Sequence, residues 1–403
     1  MTGLRDILSD KPKGPPGSEP LHCVPASGGA GCGFVIHFNH AARTRTGTTG
    51  SMKFGILFVS HPDISAEPYP HRSVHARVTR EIQEADRLGY DTAWIAEHHF
   101  SNTYGILPDP FAYIAYLAPQ TERIKLGTAV MTLPLHNPLR IVENAAFVDI
   151  LTDGRFIMGL GSGYRPYEFE GFGVNFETRH ERQEEALSVV LEALHTRKIK
   201  HDGANYRHDV TGDYEIFPAS VQQPHPPLYM AAGSERSIAF AARHGFGLML
   251  STLPSFETLA GQTAFYREKM KDAPEKWTRN PAFGQIDQAR WVYVAETDAK
   301  AKEKSEEGIL QILKTFTSPG AGGYMGLVSE KGADPELDYD ELARTTLLHG
   351  SPDTVIERIR KMQSMTGMTS LVLYYPPYYG EEKTIKMLRL FAETVLPEFQ
   401  GKD

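Results

Sequence analysis

From Met52 onward, short apolar runs alternate with helical patterns, and that rhythm leaves few architectures open. Apolar runs at 53–59, 92–96, 124–132, 156–160 and 227–232 read as buried strands, and runs at 247–250, 289–295 and 370–374 continue the series. Between them lie helical patterns. Residues 73–88 place Val74, Val78, Ile82 and Ala85 on one face and stop before Gly89. Residues 181–194 place Ala186, Val189, Val190, Ala193 and Leu194 on another. Further helices are predicted at 110–118, 139–151, 237–244, 256–270, 299–315 and 383–396, and one opens with the N-cap Ser351 and Pro352. Eight strands alternating with helices predict an α/β fold, a (β/α)8 barrel (TIM barrel). An open doubly wound sheet is the alternative. The short, even βα units and the lack of a Gly-x-Gly-x-x-Gly turn after the first strand favour the barrel.

Residues 1–51 fall outside this rhythm. They are rich in Gly, Pro, Ser and Thr and read as a disordered or loosely docked extension, so the expected organisation is 1–51 extension and 52–400 barrel. A translation start at Met52 is an alternative reading of the same boundary. Both cysteines of the 403-residue chain, Cys23 and Cys32, lie in that extension, so no thiol chemistry is expected in the barrel. The net charge of −8 argues against nucleic acid or an anionic membrane as a partner. No apolar run of spanning length and no secretory signal pattern are present, and a cytoplasmic location is expected. Two stretches break the rhythm: an insertion at 164–177 after strand four, and a Gly-rich one at 319–341 after the helix that follows strand seven, with the composition of a lid.

Chemistry is expected where the second strand ends, at Glu97-His98-His99. Barrels keep their reacting groups at the C-terminal ends of strands, and histidine titrates near neutrality. Neighbours on a strand face opposite sides, so one imidazole is expected in the site and the other in a structural role. A metal reading of Glu97, His98 and His99 lacks a third ligand motif, and no metal is expected. Gly233-Ser234-Glu235-Arg236-Ser237 follows strand five and opens a helix, a placement that suits a phosphate. Tyr374-Tyr375-Pro376-Pro377-Tyr378-Tyr379 ends strand eight, either walling the barrel mouth or packing the last helix.

Several stretches together resemble the bacterial luciferase-like monooxygenase family. They are Met52-Lys53-Phe54-Gly55, Glu97-His98-His99-Phe100, and the segment from Gly127 to Pro134 with His136 to Arg140. Asp153 to Phe156, Gly159-Leu-Gly-Ser-Gly-Tyr164 and Glu168-Phe-x-x-Phe-Gly173 complete the set. The resemblance implies a barrel that binds reduced FMN at its C-terminal face. It implies use of O2 to oxygenate a small organic substrate such as an aldehyde, ketone, sulfonate or alkane. It also implies a separate flavin reductase and a homodimer. Some relatives use the deazaflavin F420 for hydride transfer instead. The same resemblance implies His98 as the catalytic histidine at the flavin reaction centre and a cis peptide at Ala129-Val130 against the ring. Ring contacts from Gly161, Ser162 and Tyr164 and phosphate contacts from Gly233, Ser234 and Ser237 follow in the same way. Light-emitting luciferase has Cys-Arg where this chain has Gly161-Ser162, so one phosphate-binding arginine is missing. Arg179 and Arg182, at the start of the next helix, are the expected substitutes, ahead of Arg165. Two other readings remain: a flavin-binding barrel without turnover, and a hydrolase using Glu97 and Glu296 near strand ends.

Overall fold

A computed structural model describes residues 51–64, 69–102, 104–317 and 337–400. Residues 1–50 of the expected extension and 319–336 of the Gly-rich insertion lie outside the described residues. The strands β1 (Lys53–Phe58), β2 (Thr92–Ile95), β3 (Lys125–Thr128) and β4 (Phe156–Gly161) pair in parallel in chain order. They continue into β5 (Leu228–Ala231), β6 (Gly247–Leu250), β7 (Ile286–Val294) and β8 (Ser370–Tyr374). Strand β8 pairs back onto β1, with Lys53 opposite Ser370, and closes an eight-stranded (β/α)8 barrel.

The strands read as continuous apolar runs because both of their faces are buried. Inside the barrel the space is narrow, and large side chains sit opposite glycines. Trp94 on β2 pairs with Gly127 on β3, where an added Cβ would lie 2.5 Å from the indole ring. Tyr229 on β5 pairs with Gly159 on β4 and Gly247 on β6, and a Cβ at Gly247 would lie 2.6 Å from the phenol ring. Trp94, Tyr229, Ile157, Ala282 and Val372 form this inner core, distinct from the larger shell between strands and helices.

The helices start and stop on the signals in the sequence. Asp109, Asn137, Ser255 and Ser351 each accept a first-turn N–H, and Gly89 and Gly367 end their helices in the left-handed conformation. Two features differ from expectation, the break in the third strand and a hairpin, whereas the cis peptide is the one the resemblance implies. The third strand breaks after Thr128 and resumes as Met131–Thr132, which extends the edge of β4. The peptide joining Ala129 to Val130 at that break is cis. A hairpin of Ile199–Asp202 and Arg207–Val210 forms from a segment too polar to show an apolar alternation. The insertion after β4 holds a short helix, Pro166–Gly171, and a single turn, Phe176–Thr178.

Substituting Gly127→Ala should force Trp94 off its rotamer and lower stability by about 1–3 kcal/mol. Urea denaturation would read this as a lower midpoint at unchanged slope. An unchanged midpoint would show that the indole has room to move.

Candidate active site

The C-terminal ends of the strands surround a cavity of about 450 Å³, within the usual range for ligand sites. Its walls are mainly apolar, with Leu57, Trp94, Val130, Met249, Ala289 and Val372, and include the buried carboxyl of Asp287. Its rim is polar, with Glu97 and His98 after β2, Thr132 after β3, Ser162 and Tyr164 after β4, and Gly233, Ser234 and Ser237 after β5.

His98 is buried, and its Nδ1 lies 3.0 Å from Oε1 of Glu168. That carboxylate oxygen also accepts the His99 backbone N–H at 3.0 Å. Burial lowers the His98 pKa, against the opposing pull of Glu168, so the imidazole is neutral near pH 7. With Nδ1–H donated to a carboxylate, Nε2 is the acceptor nitrogen of a side chain that lines the cavity. Glu168 comes from the insertion after β4, in the first turn of helix Pro166–Gly171. Its role was not legible in the sequence, where it appears only as part of a family motif.

The neighbouring carboxylate does different work. Oε1 of Glu97 accepts from Nε2 of His99 at 2.8 Å and Nε2 of His136 at 2.6 Å, and Oε2 accepts the Thr132 N–H at 2.6 Å. Burial pushes the Glu97 pKa up, but the hydrogen bonds from His136 and His99, the His136 charge and the Thr132 N–H outweigh it and hold the carboxyl at about 2. His136 responds in kind: burial alone would lower its pKa, and the hydrogen bond and charge of Glu97 raise it. His99 is therefore bound into this knot rather than presented to the cavity. Among the described residues no group of three His, Cys, Asp or Glu side chains is arranged to hold a metal ion.

Ala129 and Val130, joined by the cis peptide, both line the cavity. A Cβ at Gly161 would overlap the Val130 side chain, so only glycine lets the end of β4 pass this point. Gly161, Ser162 and Tyr164 border the same wall, and the Tyr164 hydroxyl donates to that of Tyr104 at 3.2 Å. Ser234 and Ser237 form a reciprocal capping box at the start of helix Glu235–Arg243, and with Gly233 they face the cavity.

The arginines separate. Arg182 does not reach the cavity: it donates to Asn205 at 3.1 Å and to the Pro134 carbonyl at 3.4 Å, beside the hairpin. Arg179 lines it, together with His180, a residue the sequence did not single out. Arg179 lies over the Phe176 ring at 3.9 Å and donates to the Phe176 carbonyl at 3.0 Å. Arg165 is buried against Tyr104. Of the tyrosines after β8, Tyr374 lines the cavity, whereas Tyr375 points to Glu81 at 3.2 Å and Tyr379 is buried against Tyr293. Glu296 sits at the surface, paired with Lys300, Lys304 and Lys386, so the two carboxylates of the hydrolase reading are not brought together.

Because the folded pKa of Glu97 is depressed below its ordinary value of 4.5, its contribution to stability is complete above that value and is lost as pH falls toward about 2. Wild-type protein should therefore lose urea resistance through that window. Glu97→Gln should be less stable at pH 7 and lose less on acidification. Parallel pH profiles for the two proteins would sink this assignment.

The sequence profile of the luciferase-like monooxygenase family matches residues 52–369. The oxygenase component of a flavin-dependent trigonelline monooxygenase from Acinetobacter baylyi is 28% identical over 360 residues, covering 86% of this chain and 96% of that protein. Monooxygenase RslO1 from Streptomyces bottropensis superposes with a TM-score of 0.71 at 25% identity, covering 86% of this chain and 99% of the other. The oxygenating constituent of 3,6-diketocamphane monooxygenase from Pseudomonas putida, solved in complex with FMN, shares the fold with a TM-score of 0.70 at 22% identity, over 86% of this chain and 98% of the other. The match runs from the first barrel strand to the residue before the last strand, and of the cavity-lining residues named above only Val372 and Tyr374 lie beyond it; the chain belongs to the luciferase-like monooxygenase family.

Proposed function

We propose that the protein is the oxygenating component of a two-component system, using reduced FMN and O2 to oxygenate a small organic substrate. The observation that carries this reading is the layout of one cavity: apolar walls, a His–carboxylate pair at one side and an anion-suited rim at the other. The residues fit a flavin mononucleotide. Trp94, Val130 and Met249 supply apolar surface for a planar ring. Gly233, Ser234 and Ser237 at a helix start, with Arg179, suit one phosphate.

The longer anionic tail of F420 would call for more cations. Arg182 is turned away and Arg236 is paired with Glu181 and Glu184, which leaves Arg179 as the guanidinium on this wall. The name of the Acinetobacter relative, an oxygenase component, supports delivery of reduced flavin by a separate reductase. Reduced flavin, when bound, supplies the two electrons with which one atom of O2 enters the substrate and the other leaves as water. The chain's own part is to exclude bulk water with its apolar walls and to handle the proton. His98 accepts it at Nε2 and returns it, while Glu168 fixes the tautomer through Nδ1–H and stabilises the imidazolium form.

We place the protein in the cytoplasm, where a reductase can deliver reduced flavin, and read it as a homodimer. Tyr116, Phe147, Ile150 and Leu151 are 41–58% exposed on the neighbouring helices Pro110–Leu117 and Pro138–Leu151, an apolar patch that suits a second copy.

Anaerobic titration with reduced FMN, followed by stopped-flow mixing with O2, should show binding and a near-ultraviolet transient before oxidised flavin returns. His98→Ala should cut product formation about 10²–10⁴-fold. Arg179→Met should weaken FMN binding about tenfold. No binding of reduced FMN, with binding of reduced F420 instead, would overturn the cofactor. Phe147→Glu should convert a dimer to a monomer in light scattering; a wild-type monomer would remove the homodimer.

A further inference from the structure

Two phenols stand beside His98, one of them the expected ring contact Tyr164. Tyr104 and Tyr164 both line the cavity, and their hydroxyls meet at 3.2 Å. The His98 imidazole meets both rings edge-on, with centroids 4.7 and 6.0 Å away. The proton-handling group and the two hydroxyls therefore border the same part of the cavity.

A cation stands behind them. Arg165 is 5% exposed, and its guanidinium carbon lies 3.8 Å from the Tyr104 ring centroid and 5.1 Å from that of Tyr164. Among the described residues it makes no ion pair; its electrostatic partners are the phenols of Tyr164, Tyr104 and Tyr167, with a hydrogen bond to Tyr164. Glu168, three residues on, is engaged by His98 and the His99 N–H. A buried guanidinium that faces neutral phenols among the described residues is costly, and the aromatic faces and the hydrogen bond offset only part of that cost. Its field acts in a poorly screened region and favours negative charge on the phenol oxygens, or on any oxygen hydrogen-bonded to them.

We propose that Tyr104 and Tyr164, backed by Arg165, form the site for a substrate oxygen that carries full or developing negative charge. The class of substrate is then a compound bearing a phenolate or enolate oxygen, rather than a plain alkane or a cationic amine. Leu57, Val59 and Tyr374 line the cavity beside this site and offer apolar surface for the carbon frame. This inference rests on the reading that the cavity takes flavin and substrate together.

The test uses 4-nitrophenol, whose absorbance distinguishes phenol from phenolate, with purified protein alone and with FMN. The bound probe should ionise at least one pH unit below the free compound. Tyr104→Phe, which keeps the ring under the guanidinium, should weaken phenolate binding tenfold or more. Arg165→Met should abolish the shift in ionisation; if that variant does not fold by circular dichroism, Tyr104→Phe decides. A bound probe that stays neutral, or equal phenolate binding by Tyr104→Phe, would overturn the site. The readout needs neither reduced flavin nor O2. A protein that binds nitrophenolate as described but ignores reduced FMN would refute the oxygenase reading and leave this oxygen site standing.

Discussion

One buried carboxylate fixes the geometry on which the rest of the site depends. Glu97 joins the end of β2 to His99, to His136 and to the Thr132 N–H just beyond the cis peptide. A buried ion is tolerated only with its lone pairs satisfied, and here three donors do so from two adjacent strand ends. Loss of any one of them would leave a charge in an apolar setting. The knot therefore holds β2 and the broken third strand in one relation. His98, the next residue, inherits its position from that constraint.

The barrel was legible because its signals are local and repeated. Apolar runs of strand length, Ser, Asp and Asn caps and helix-ending glycines each point to the same element boundaries. The break in the third strand was not visible in the hydrophobic pattern, since Ala129 and Val130 are ordinary strand residues; only the family resemblance implied the cis peptide there. The hairpin at 199–210 escaped notice for a different reason. Its strands are held by Glu185, which accepts from Asn205, Tyr206 and His201, and side-chain tethering of that kind leaves no periodicity.

The candidate site was legible at its strand ends and obscure where side chains arrive from insertions. His98, Gly161, Ser162, Ser234 and Ser237 follow strands directly, so strand assignment alone puts them at the mouth of the barrel. Glu168 and Tyr104 come from excursions whose paths depend on tertiary contacts. Arg179 and Arg182 show the limit clearly. They are three residues apart on one helix, and the sequence treats them alike. Helical rotation together with a hydrogen bond to Asn205 sends Arg182 to the hairpin and leaves Arg179 on the cavity wall.

The excursion after β4 has a wider consequence. From Tyr164 to Arg179 a single stretch of chain carries a phenol at the mouth, the buried Arg165, the carboxylate partner of His98 and the guanidinium on the opposite rim. The barrel beneath is packed to van der Waals contact and tolerates little change. A single excursion thus supplies side chains both to His98 and to the wall that Arg179 lines, so a change in its path would move Glu168 and Arg179 together while the strands beneath stay fixed.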